Sequence, residues 1–167
     1  MWSLQPLAER LEQSSLGTAI AESRYAFPII EGTHLLSLAI SVGLIFLIDL
    51  RLVGVLMRQV PARTVIVHLR PYALTGFVVV FVSGTLLLWS EATSVIASPA
   101  WTFKWIFMVL AALNALYFEC VLAERPELRE DAAILPRSVR YAGIASMSLW
   151  TLVIVSGRLI AYLTTWP

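Results

Sequence analysis

The chain has 167 residues, of which 59% are hydrophobic and only 14% charged. An ordinary soluble domain carries about 25% charged and 45–50% apolar residues, so this balance predicts a single-domain integral membrane protein. A net charge of +1 lacks the basic face that nucleic-acid binding needs, and the lone Cys120 excludes an intramolecular disulfide or a Cys-rich metal cluster.

Residues 1–26 read as an N-terminal interfacial segment. Trp2, Leu4, Leu7 and Leu11 recur at helical spacing with Glu9, Arg10 and Glu12 between them. That is the pattern of a short amphipathic helix lying in the interface plane, with Trp2 at headgroup level. A secretory signal is not expected, because no basic start leads into an apolar region and a small-residue cleavage site. Ser14-Ser15 and Gly17 predict a break and a second short helix.

Residues 27–167 read as a four-helix transmembrane domain. From Phe27 to Ile48 the sequence is nearly all apolar, long enough to cross a hydrocarbon core of about 30 Å. The first span is expected over about 28–57, opened by Pro28, where a missing N–H costs nothing. It is longer than a bilayer requires, so it tilts or projects, and Val60-Pro61-Ala62 ends it. The second span begins near Val65 or after Pro71, over about 65–89. A loop over 91–100 leads to the third span, about 101–123. A charged, solvated loop with Pro126 and Pro136 leads to the fourth, about 139–163. Short connections make this an all-α, up-down-up-down membrane bundle with antiparallel neighbours.

The loops after the first and third spans hold Arg51, Arg58, Arg63, Arg70, Arg125, Arg129, Arg137 and Arg140, against Arg10, Arg24, Lys104 and Arg158 on the other side. The positive-inside rule then places both termini outside, periplasmic in a bacterium. Trp89, Trp101, Trp105 and Trp166 are expected in an outer aromatic belt. Ser83-Gly84-Thr85 and Gly157 are expected close-packing points between helices.

Charge inside a membrane span is expensive and marks a functional hypothesis by default. At about 1.5 Å per residue, Glu31, His34, Lys104, Arg158 and Tyr162 all fall within about two turns of the outer boundary. Paired charge is the rule there, so Glu31 is expected to meet Lys104 or Arg158. Further in, Asp49, Glu119 and either Arg51 or His68 are candidates for a second, cytoplasmic-side cluster, with Asn114 between the two layers.

Several chemistries compete for these residues. The Glu31-x-x-His34 spacing occurs in dimetal carboxylate bundles, but those need two such motifs and further carboxylates. Heme b requires an axial His, and His34 is the one His inside the membrane, with Met108 at similar depth. Lys104 and Arg158 suit heme propionates or a quinone carbonyl. A neutralised network that sets helix register is the bland alternative. A proton relay through Glu31, Asn114 and Asp49 would be sparse, its two acids lying about 27 Å apart. No nucleophile–base pair or phosphate-cradling glycine loop is present in the sequence pattern.

The set Pro28-x-x-Glu31-x-x-His34, Asp49-Leu50-Arg51-Leu52, Thr85-Leu86-Leu87-Leu88, Phe103-Lys104, Leu113-Asn114 and Gly157-Arg158-x-x-Ala161-Tyr162 resembles a family of small bacterial inner-membrane proteins of unknown function. The likeness covers most of the chain from about residue 14. It implies four spans in a bacterial membrane and carries no activity. The layout is also similar to cytochrome b561-type bundles, which use paired histidines on several helices where this chain has one.

The leading functional expectation is a non-catalytic membrane subunit of a larger, redox-related assembly in the bacterial inner membrane. Its outer polar layer would contact heme b or quinone, and its partners would be lipid and other membrane subunits or a second copy. The rivals are a heme b electron-transfer protein using His34 and a small proton-coupled transporter.

Overall fold

A computed structural model describes residues 4–129 and 135–165. Trp2, Trp166 and the middle of the charged loop lie outside the described residues. Everything regular among the described residues is helical: α1 (Gln5–Glu12), α2 (Ser15–Ala21), α3 (Ala26–Val53), α4 (Ala62–Ser90), α5 (Ala92–Ala97), α6 (Pro99–Tyr117), α7 (Pro126–Arg129) and α8 (Arg137–Thr165). Four of these are long and apolar enough to cross a membrane: α3, α4, α6 with its extension to Leu122, and α8. This is a multi-pass, all-helical membrane protein.

Local chemistry explains the helix ends. α3 stops at Gly54 rather than at Pro61, because Gly54 takes the left-handed conformation (φ 83°) that a glycine adopts without strain. There Val55 N–H returns to Leu50 O at 2.9 Å, capping carbonyls that the helix leaves open. α4 starts earlier than expected and runs straight through Pro71. Membrane helices tolerate an internal proline where neighbouring groups re-satisfy the backbone. One turn on, Thr75 donates its hydroxyl to Pro71 O at 2.9 Å, an added bond to the proline's own carbonyl. α6 ends in a π-helical turn, Phe118–Leu122, closed by Ala123 N–H on Phe118 O at 2.8 Å. The loops expected over 91–100 and 124–140 contain the short helices α5 and α7.

The spans pack as a chain of neighbours. α3 lies against both α4 and α8, and α8 lies against α6. α4 and α6 do not pack along one another. A side-chain pair bridges that side instead, Arg70 of α4 with Glu119 at 2.8 Å, while Phe77 of α4 stacks on Trp150 of α8 at 4.6 Å between centroids. The apolar core is concentrated where α7 meets the bundle, around Ile48, Leu52, Val65, Leu122 and Val139. Outward faces are apolar and exposed (Leu36, Phe81, Phe103 and Leu116 among them), as a hydrocarbon surround allows.

The other end carries α1, α2 and α5. α1 docks on α5 and α4, and α2 on α4 and α3. Glu12, at the end of α1, accepts the Thr93 backbone N–H at 3.0 Å and also the Thr93 hydroxyl. Trp89 donates its indole N–H to Ser14 Oγ at 3.0 Å. Ser14 also caps α2, accepting from Gly17 N–H at 3.2 Å.

Candidate functional site

His34 projects from α3 toward α4. Its Nδ1 lies 3.1 Å from Val80 O and 3.0 Å from Ser83 Oγ. A carbonyl oxygen can only accept, so in the neutral ring Nδ1 carries the hydrogen. Ser83 is consistent with this, since its own hydroxyl donates to Val79 O at 2.6 Å and its oxygen is left to accept. The arrangement leaves Nε2 with its lone pair. Gly84 makes room for the ring: a Cβ there would stand 2.9 Å from His34 Cε1.

Lys104 reaches in from α6 beneath Gly157 of α8, where a Cβ would be 3.8 Å from Nζ. It is near enough to His34 for its charge to act on the imidazole. Among the described residues Lys104 forms no ion pair. The four spans thus each contribute to one level: His34 from α3, Ser83 and Gly84 from α4, Lys104 from α6 and Gly157 from α8. Two turns deeper, Phe77 and Trp150 close the space between α4 and α8. Met108, one turn below Lys104, is half-buried on α6.

The expected pairing of Glu31 with Lys104 or Arg158 does not occur among the described residues. Glu31 is exposed on α3 and acts electrostatically on Glu91. Glu91 sits just past the end of α4. Partial desolvation first, then the charges of Glu31 and Glu12, push the carboxyl of this exposed residue above the usual glutamate range. It also borders an open hollow of about 250 Å³ with Arg24, Phe27 and Pro28, apart from His34. Arg158 is exposed and lies over the Tyr162 ring of its own helix, 5.5 Å from the centroid. One helical turn separates these two residues, so a local cation–π contact is available without crossing the bundle.

The expected second cluster is likewise divided among separate partners. Glu119 takes Arg70. Arg51, 6% exposed, donates Nε–H to Val60 O at 2.6 Å and ties down the link to α4. His68 Nδ1 bonds Thr64 O of its own helix at 2.8 Å. Asp49 is buried against Ser146 of α8. The local carbonyls compete successfully here because they are already within one turn or one short loop. Asn114 donates to Ala142 O at 3.1 Å, linking α6 to α8.

Sequence reasoning missed Ser83 as the partner of His34 and Ser146 as the partner of Asp49. Both are serines in apolar runs with a glycine one or three residues away, and that small-residue pairing is the available signal. No group of three or more His, Cys, Asp or Glu suited to a metal ion occurs among the described residues.

No curated protein and no solved structure matches the chain. Residues 14–163 match a family of unknown function, DUF6644. A match over that much of the sequence makes the chain a member of the DUF6644 family.

Proposed function

We propose that this protein is a non-catalytic subunit of a larger, redox-related assembly in the bacterial cytoplasmic membrane, both termini facing outside, and that His34 and Lys104 contact heme b or a quinone. The observation that carries the reading is the tethered Nδ1–H of His34, with Nε2 left bare beside an unpaired ammonium. Histidines that serve as ligands characteristically donate their other ring N–H to a carbonyl, which sets the tautomer and the ring plane. The same lone pair accepts from a quinol hydroxyl, and the Lys104 ammonium suits a propionate or a quinone carbonyl.

A reduced-minus-oxidised absorption spectrum of gently purified protein, beside His34→Ala, tests this directly. A Soret band lost in the mutant assigns heme b, and His34 as its ligand. Extractable quinone that falls in His34→Ala and Lys104→Ala, with a flat spectrum, assigns a quinone. Neither cofactor, in protein still carrying its native companions, removes the redox reading.

A further inference from the structure

Asp49 is separated from His34 by about 22 Å along α3, so its role is independent of the cofactor contact. It is 5% exposed, and Oδ2 is sealed from solvent without a hydrogen-bond partner. α8 comes so close that a Cβ on Gly143 would stand 3.2 Å from the main-chain oxygen of Asp49. Ser146 lies almost one turn further along α8, near enough for its hydroxyl to act on the carboxyl. Asn114 grips the same stretch of α8 through Ala142 O.

Among the described residues no cation pairs with this carboxyl. On α3, Arg51 is committed to Val60 O. On α4, Arg70 is committed to Glu119 at the end of α6, and His68 to Thr64 O. On α8, Arg137 and Arg140 are exposed near the helix start. The rest of the surroundings is the apolar core around Ile48, Leu52 and Val139. An ionised carboxylate is an acceptor on both oxygens, and burying one of them bare is costly. The missing partner must be a donor or a cation small enough for a packed interface.

We propose that Asp49 and Ser146 form a site for an exchangeable monovalent cation, a proton or a sodium ion, at the contact between α3 and α8. Proton uptake forms one O–H bond at Oδ2, with the Ser146 hydroxyl available to the carboxyl from α8, and release returns the proton to water. Sodium would take the same position by exchange for that proton. No electron moves in either case. Asn114 is a positioning residue, since it acts on the carboxyl only through the turn of α8 that it holds.

Infrared difference spectroscopy of the full-length protein in lipid vesicles tests the assignment. Between acidic and alkaline buffers the wild type should lose a protonated-carboxyl C=O band that Asp49→Asn lacks and Ser146→Ala shifts. At constant pH, loss of that band with sodium chloride but not choline chloride assigns sodium exchange; an unchanged band assigns the proton alone. Wild-type and Asp49→Asn spectra that are identical in both comparisons overturn the proposal. Should Asp49→Asn fail to fold, Ser146→Ala decides: a shifted band supports the site, and an unshifted or absent pH-sensitive band overturns it.

Discussion

His34 and Ser41 reach the interior face of α3 because Gly84 and Gly76 stand opposite them on α4, where a side chain would collide with each. The imidazole at Gly84 is a rigid ring held by two polar contacts, so it cannot swing away as a flexible chain end would. Gly84→Ala should therefore cost about 1–3 kcal/mol through overpacking, read from thermal unfolding in detergent. In a His34→Ala background the same change should be neutral or stabilising, because alanine is the better helix former by about 1 kcal/mol. Additive effects in the double mutant would show that the ring does not occupy the space Gly84 leaves.

Glu91 supplies a pH test at the same scale. Its folded-state carboxyl titrates above the ordinary value of 4.5, so the folded protein holds a proton that the unfolded chain has already lost. That contribution is full below the ordinary value and disappears as pH rises through the raised one. Melting temperature should accordingly decline over that window in the wild type, and Glu91→Gln should flatten the decline. Since Glu91 is substantially exposed, solvent screening keeps the effect small. Residue types and spacing singled out Glu31, His34 and Lys104 as ionisable groups within apolar runs. Their surroundings were not legible, because Val80 O and Ser83 beside His34, and the like charge of Glu91 near Glu31, come from other elements and only packing brings them into reach.

At the scale of elements, α1 is held to α5 chiefly through Glu12, whose carboxylate serves both the backbone and the hydroxyl of Thr93. Glu12→Ala should cost about 0.5–2 kcal/mol, the range for losing such a terminal cap, and speed hydrogen exchange in residues 5–12. By contrast, the Arg70–Glu119 pair is 42% and 44% exposed. Removing it with Arg70→Gln should change stability by no more than about 1 kcal/mol. The α3 boundary illustrates a competition the sequence contains but does not rank. Gly54 and Pro61 both terminate helices, and the glycine wins because its left-handed turn satisfies the last carbonyls seven residues sooner. Pro71 reads as a breaker in sequence, yet it is carried inside α4, whose length is imposed by its packing along α3.

For the whole molecule, the native Cys120 is a ready topological probe, being the single cysteine in the chain and exposed near the end of α6. If both termini face outside, as proposed, a membrane-impermeant maleimide should leave Cys120 unmodified in intact spheroplasts and label it after lysis. Labelling before lysis would reverse the orientation. Composition, the lengths of the apolar runs and the proline and glycine breaks were enough to determine a helical membrane protein with four spans. Those properties depend on transfer of whole segments into hydrocarbon, which is a sum over residues and insensitive to partners. Helix order around the bundle, the unpacked side between α4 and α6, and the distribution of each charge to its partner were decided by tertiary structure alone. Such contacts depend on which glycine or serine lies opposite which polar side chain, a matter of ångström-scale register between helices that no periodicity along one segment encodes.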